Sequence, residues 1–499
     1  MTHKKLHFKL IGLIAFCASL SFFSTAQIAL TIEQALDIAE ENNPSMKTQK
    51  LNLERSLYNL AAQSASLKPQ FSLTLNPFGY LQRRNFDTFN SEWYTSSTLS
   101  SSGEFRASMP ILLTDGTLSL SNQLSWQDNT TIRGEKTINK AFTNNLNLRF
   151  DQPIFTYNRQ KMALARLEYD HENAEIRYAL QRLNTEISIT NQFYAVYMAI
   201  STLSISQAEL ANAKTNYEIV KAKVEASLSA REELFQAEVN LSQAQSLVEQ
   251  RTVELENAKD QFKQTLGMPL IEEITVIVPN IDVSPVLIDQ AQAVQQGMSS
   301  RMELRQREIE MDLAEFELIR TKAEDEFSGN IGLQLGLTGD NEKFGNMYDN
   351  PTSSPRVAIS FSIPIFDWGQ RKARIQASKT AQTITKLAYE NEKVDIELEI
   401  RRTLRNLDNY RTQIDIQQKS VENTQLTYDL NQIRYAEGDL TGLQISQYQA
   451  QLSNAQTNLV SARIRYKTEI LNLKVRTLYD FENDKPLVPV RLLNQITLK

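Results

Sequence analysis

The most constraining feature of this sequence is a stretch that occurs twice, each time where a strand-like run gives way to a very long helical one. Pro153-Ile154-Phe155-Thr156-Tyr157-Asn158 and Pro364-Ile365-Phe366-Asp367-Trp368-Gly369 lie 211 residues apart, from Pro153 to Pro364. The same offset carries Glu186 to Glu397, Gln207 to Gln418, Tyr217 to Tyr428 and Leu241 to Leu452, and ends with Ala244-Gln245 on Ala455-Gln456. A register held without a gap over two helices and a turn marks an internal duplication. Each copy reads helix, strands, long helix, polar tip, return helix.

That organisation sets the expected boundaries. Residues 27–283 form the first repeat, with strands at 70–82 and 144–155, an inserted segment 83–143, and a helical hairpin 157–266. Its tip lies near 224–231, and a linker spans 267–283. Residues 284–480 form the second repeat, with a helix over 285–327, strands at 330–338 and 356–366, and a hairpin 368–479 with its tip near 435–442. A tail, 481–499, contains Pro486 and Pro489 and reads as irregular. Ahead of the repeats, residues 1–26 have the make-up of a secretory signal. Lys4, Lys5 and Lys9 precede the apolar run Leu10–Phe16, and Ser24-Thr25-Ala26 supplies the small residues of a cleavage site. The alternative, an N-terminal anchor, would need a longer apolar core. The only cysteine, Cys17, falls inside this segment, behind the bulky Phe16 that argues against lipid attachment there. The chain beyond it therefore has no disulfide or thiol chemistry.

Charge excludes one class of function. Loss of the three leading lysines moves the formal net charge from −6 to −9, the wrong sign for a nucleic-acid binder. Of three histidines only His171 lies beyond the signal, among Glu168, Asp170 and Glu172, where a solvated surface role is expected. No run reaches the ~20 apolar residues of a transmembrane helix.

The strands carry the next inference. Phe71, Leu73 and Leu75 alternate with Ser72, Thr74 and Asn76. Leu146, Leu148 and Phe150 alternate with Asn147, Arg149 and Asp151. Ile331 to Leu337 and Val357 to Ile363 repeat the pattern, giving one apolar and one polar or small face. A soluble sheet covering a core and a transmembrane barrel both produce it. The long helices favour the barrel, because they run away from the sheet and leave no domain to cover it. Aromatic residues gathered at the strand ends (Tyr80, Trp93, Tyr94, Phe155, Phe366, Trp368) suit interfacial girdles. Four strands cannot close a ring, and open edges are not tolerated in lipid, so several chains must combine. Within the insertion, Phe105-Ala107-Met109-Ile111 and Leu118-Leu120 alternate around Thr114-Asp115-Gly116-Thr117. This reads as a hairpin that either extends the barrel or projects beyond the membrane.

Helices of this length, about 100 Å at ~1.5 Å per residue, have no globular core to rest on and must pack as coiled coils. Thr31 followed by Gln34 marks the first N-cap, Asn42-Asn43-Pro44 a break, and Gly267 before Pro269 a helix stop.

At this point the residues resemble a known family, the TolC-type outer membrane efflux proteins, over about residues 30–480. The Pro-Ile-Phe corners (Pro153, Phe155, Pro364, Phe366, Gly369) carry the likeness. So do Arg434-Tyr435-Ala436-Glu437-Gly438-Asp439-Leu440-Thr441 and the return helix with Leu452-Ser453-Asn454-Ala455-Gln456. The resemblance implies a mainly α fold with membrane β structure. Duplicated coiled-coil hairpins would join four β-strands per chain, giving a trimeric twelve-stranded outer-membrane β-barrel.

It further implies a homotrimeric exit duct of a tripartite efflux or type I secretion system, held in outer-membrane lipid. The periplasmic tips (Lys223, Ser227, Leu228; Arg434, Gly438, Asp439, Leu440, Thr441) would dock an adaptor and an RND- or ABC-type inner-membrane pump. Family members narrow the entrance with aspartates on the second return helix. Register puts Gln444 and Gln447 there, matching Glu233 and Gln236, so a negative ring would come from Glu232 and Glu233. No catalysis, cofactor or metal is implied, and the paired acids Glu232-Glu233 and Glu272-Glu273 read as surface charge. The alternatives are a periplasmic adaptor, which has a single hairpin flanked by small β-domains, and an extracellular coiled-coil structural protein.

Overall fold

The computed structural model describes residues 28–133, 135–277 and 288–487. The expected signal segment 1–26, the end of the linker from 278 and the tail beyond 487 lie outside the described residues. The chain divides into two compact units, one of residues 1–50, 178–301 and 395–499 and the other of residues 51–177 and 302–394.

In order, the elements are β1 (Ile28–Leu30), α1 (Ile32–Asn42), α2 (Pro44–Ser66), β2 (Gln70–Asp87), β3 (Glu92–Ile111), β4 (Gly116–Arg133), β5 (Glu135–Ile154), α3 (Arg159–Glu225) and α4 (Arg231–Leu266). The second copy follows with β6 (Ile274–Val276), α5 (Gln290–Ser300), α6 (Met302–Ala323), β7 (Ser328–Asn341), a 3-10 turn (Phe344–Tyr348), β8 (Thr352–Ser362), α7 (Gln370–Glu437), α8 (Gly442–Thr477), β9 (Tyr479–Asp480) and β10 (Lys485–Pro486). Among the described residues no helix is long and apolar enough to cross a membrane.

The second unit holds one antiparallel sheet of order β2-β3-β4-β5-β7-β8. The four strands expected from the sequence are all present as β2, β5, β7 and β8, but the inserted segment adds two more, so the chain contributes six. The pairing register places Phe71, Ala107, Leu120, Leu148, Leu335 and Pro355 side by side, one on each strand. The next row, on the opposite face, is Ser72, Arg106, Ser121, Asn147, Gly336 and Ser354. At this level one face is thus apolar and the other polar on every strand of the sheet, Gly and Pro apart. The polar face carries the ion pairs Arg106–Glu104 and Arg149–Asp151, each at 2.6 Å. The apolar face is uncovered: Phe71 is 69% and Leu335 60% exposed. A soluble sheet would bury these side chains, so that reading of the alternation fails.

The corner between strand and helix is built differently in the two copies. In the second, Asp367 caps α7 from within the corner, accepting from the Gly369 and Arg371 N–H groups at 2.9 and 2.8 Å. In the first, the position 211 residues earlier is Thr156; Asn158 Oδ1 accepts from the Lys161 N–H at 2.8 Å, and a second cap comes from Asp115 of the β3–β4 turn. Its carboxylate accepts from the Gln160 N–H at 3.0 Å and from Arg159 Nε at 2.9 Å. Gln152 and Asn158 side-chain amides donate to the Thr114 and Leu112 carbonyls, both at 2.6 Å. The strand expected over 356–366 ends at Ser362, because the chain from Ile363 turns through the corner, with Trp368 and Gly369 at positive φ (55° and 81°).

The first unit is organised around a buried cluster in which Leu30, Ala35 and Ala39 meet Ile189, Phe193, Phe262 and Ile274. Here β1 and β6 pair in parallel. The helix break at Asn42-Asn43-Pro44 packs on the end of α4, with the Asn43 amide donating to the Thr265 carbonyl at 2.7 Å. The helix expected over 285–327 is two helices, α5 and α6, parted at Arg301 in extended conformation (φ −68°, ψ 118°). Ser299 Oγ donates to the Gln296 carbonyl at 3.1 Å just ahead of the break, the kind of local bond with which serine competes against helix. His171, expected to be solvated, is half-buried in the second unit, its Nδ1 2.9 Å from Ser56 Oγ.

The chain beyond α8 is not irregular at once, since β9 and β10 pair. Lys474 lies 3.2 Å from Asp480 and 2.6 Å from Glu482. Burial alone would raise the Asp480 carboxyl, but the Asn483 amide and the Lys474 ammonium outweigh it and hold it below the ordinary carboxylate value. A depressed carboxyl stabilises the fold fully above its unfolded value of about 3.9 and loses that stabilisation as pH falls through the folded value. Lys474→Met should therefore move the onset of acid unfolding, followed by helical circular dichroism, to higher pH. An unmoved onset would show that this cluster does not secure the end of α8.

Candidate functional site

The residues assigned to the two tips come together in the first unit. Helix α3 ends in a Schellman turn: the Leu228 N–H donates to the Lys223 carbonyl at 2.8 Å and the Ser227 N–H to the Val224 carbonyl at 3.0 Å. Helix α7 ends identically, with Asp439 donating to Arg434 at 2.9 Å and Gly438 to Tyr435 at 3.2 Å. The residues in left-handed conformation are Ser227 (φ 59°) and Gly438 (φ 96°), 211 positions apart. This turn satisfies the last carbonyls of a helix and reverses the chain sharply, which is why such long helices can double back within a few residues.

The return helices start differently. Thr441 is a capping box with Gln444: the Gln444 N–H donates to Thr441 Oγ1 and the Thr441 N–H to Gln444 Oε1 at 3.0 Å. At the equivalent place α4 has Ala230, without a side-chain cap, and Glu233 instead accepts from the Ser229 hydroxyl. Gln444, expected to line an entrance, thus has its side-chain oxygen engaged in its own helix start.

The two tips are joined by a shared apolar cluster of Val220, Tyr428, Tyr435, Ile445 and Leu452, with Val224, Leu234 and Leu440 packed against it. Lys223 reaches across from α3, donating to the Tyr435 carbonyl at 3.3 Å with its ammonium 5.4 Å from the Tyr435 ring centre. Burial, reinforced by the Glu233 carboxylate, pushes the Tyr435 hydroxyl above its ordinary value. Further along, Asn212 donates to Gln449 at 2.8 Å, tying α3 to α8.

Beside the cluster lies a groove of about 780 Å³ whose wall includes Glu232, Glu233, Gln236, Thr441 and Gln447. Four of the five residues assigned to the entrance therefore line one cleft, and Gln444 does not. Leu228 stands 78% exposed at the first tip. The corner residues Pro364, Phe366 and Phe155 lie in the second unit. Phe155 is at positive φ (61°) against Phe327, ring centres 5.1 Å apart, and Phe366 packs on Trp368 at 4.7 Å. Sequence reasoning missed Asp115 and the α3–α8 contacts Asn212–Gln449. Asp115 lies in the inserted segment, outside the duplicated register, and Asn212 meets Gln449 across 237 residues of sequence.

Residues 295–475 match the family model "Outer membrane efflux protein". The chain is 19% identical over 342 residues to the probable outer membrane lipoprotein SilC of Salmonella typhimurium, covering 68% of this chain and 73% of that one. Among solved structures, the outer membrane channel CmeC of Campylobacter jejuni matches at TM-score 0.69 and 16% identity, over 93% of this chain and 89% of its own. The open-state outer membrane channel MtrE of Neisseria gonorrhoeae matches at TM-score 0.64 and 16% identity, over 91% and 90%. At that identity the agreement is one of fold, and it extends over both repeats.

Proposed function

We propose that the chain is a TolC-type outer membrane efflux protein and that three copies form the exit duct of a tripartite efflux system. Substrates would pass from an inner-membrane pump and its periplasmic adaptor to the cell exterior. The observation that carries this reading is the sheet, with one face apolar and exposed, the other polar, and both edges open. A sheet of that kind is stable only where lipid covers the apolar face and neighbouring copies close the edges. The long hairpins supply the periplasmic part, and their paired tips the entrance. The duct itself is passive, since the residues at the tips are capping groups, amides and surface carboxylates rather than a nucleophile with a base. Energy and direction come from the pump.

Lys223, Ser227, Leu228, Arg434, Gly438, Asp439, Leu440 and Thr441 form the adaptor-docking surface in this account. Glu232, Glu233, Gln236 and Gln447 narrow the entrance, with Glu232 and Glu233 as its negative charges. The adaptor alternative has no observation in its favour, because a periplasmic adaptor needs no lipid-compatible sheet. Purified protein reconstituted in a planar bilayer should conduct ions in discrete steps. Glu232→Gln together with Glu233→Gln should lower the preference for cations by a few-fold, as removal of ring charge does in other pores. Absence of conductance would refute the duct, and unchanged selectivity would remove these two glutamates from the entrance.

A further inference from the structure

We propose that the membrane barrel of this protein is built from eighteen strands, six from each of three copies, with β2 of one copy paired to β8 of the next. The inference rests on the trimeric duct proposed above and adds to it the size of the barrel and the partner of each open edge.

Three observations carry it. The first is the register: the β3–β4 hairpin is hydrogen-bonded on both sides, β3 to β2 and β4 to β5, over nearly its whole length. It is therefore inside the sheet rather than appended to an edge. The second is the face. Phe105, Ala107 and Met109 on β3, and Leu118 and Leu120 on β4, stand in line with the apolar residues of β2, β5 and β7. Arg106, Ser108, Ser119 and Ser121 stand in line with the polar ones. A hairpin lying in water outside the bilayer has no reason to continue a lipid-facing stripe. The third is Asp115, whose carboxylate caps α3 from the β3–β4 turn. The hairpin thus supplies at the first strand-to-helix corner what Asp367 supplies at the second.

Closure follows from strand direction. In an antiparallel sheet of six, the first and last strands run opposite ways, so β2 and β8 meet antiparallel when identical sheets join in a ring. An odd number would bring like-directed edges together. Each edge strand presents a row of unpaired N–H and C=O groups, which lipid does not tolerate, and a second copy of this chain is the partner that satisfies both edges at once. Barrel diameter grows roughly linearly with strand number. Eighteen strands give a mouth about 1.5 times as wide as twelve.

The test uses the full-length protein in outer membranes, with Cys17 replaced by serine and single cysteines at Phe105, Arg106, Leu120 and Ser121. A water-soluble maleimide should label R106C and S121C at least tenfold faster than F105C and L120C. Paired cysteines scanned over Phe71 to Leu75 and Ser353 to Val357 should give disulfide-linked copies for at least one pair. Equal labelling of all four positions, or no cross-link in any register while native mass still reports a trimer, would overturn the eighteen-strand barrel and leave the duct standing. A monomeric product would overturn both.

Discussion

Gly438→Trp is expected to abolish export while leaving the assembled channel intact. Gly438 is held at φ 96° by hydrogen bonds from its own N–H and that of Asp439 to Tyr435 and Arg434. A Cβ built there meets nothing within 4 Å. The folding cost is then the left-handed strain alone, about 1–2 kcal/mol, too little to undo a helix packed along its length. The proposed docking is different, because a bulky ring at the point of an α-helical tip would keep an adaptor's surface from closing on Leu440 and Thr441. Loss of one central interface residue commonly costs ~2 kcal/mol or more, a fall in affinity of over tenfold. Export in a strain lacking the parent gene should drop to the empty-vector level, with native electrophoresis unchanged. Ser227→Trp, at the equivalent turn of the first copy, should act in the same direction. Full export by both variants would place docking elsewhere.

Gly267→Ala should destabilise the fold by about 3 kcal/mol, with strain and overpacking added. Gly267 ends α4 at φ 75°, and a Cβ there would lie 2.4 Å from the Asn42 carbonyl oxygen and 2.7 Å from its carbon. Both are backbone atoms of the corner that docks α2 on α4, so no side chain can rotate away. Gly438→Ala is the control, because it shares the left-handed conformation without the obstruction and should cost only about 1 kcal/mol. The yield of folded channel and its thermal midpoint should fall far more for Gly267→Ala than for Gly438→Ala. Equal effects would mean that the corner can shift without penalty. The second copy shows how a larger residue manages the same turn. Leu478, 211 positions after Gly267, sits at φ 51° with its side chain buried, 4% exposed, and burial of a leucine offsets strain of this size.

The offset of 211 was legible from the sequence and recurs in the structure at the level of single backbone angles, in Ser227 with Gly438 and Gly267 with Leu478. Caps were equally legible where one short motif decides them: Thr31 with Gln34 is a capping box, as its spacing predicts. The place of the 83–143 segment was not. Alternation at Phe105–Ile111 and Leu118–Leu120 fits a hairpin inside or outside the sheet. The remainder of β3, Thr95 to Ser102, is polar on both faces apart from Leu99, so period two carries no contrast there. Only the long-range pairing settles it. Asp115 was invisible for a related reason, since its partners Arg159 and Gln160 lie 44 and 45 residues away. The break at Arg301 escaped because no proline marks it, unlike Pro44. His171 looked solvated because charged residues surround it in sequence, and nothing there shows Ser56, 115 positions away, whose hydroxyl meets it.

The central claim is that one copy of this chain is an unfinished wall. It is tested most directly by the native mass of the mature protein extracted from membranes in mild detergent. The account predicts a single species of three copies that is lost when the sheet edges are disrupted. A stable, monodisperse single subunit, soluble without detergent, would contradict it.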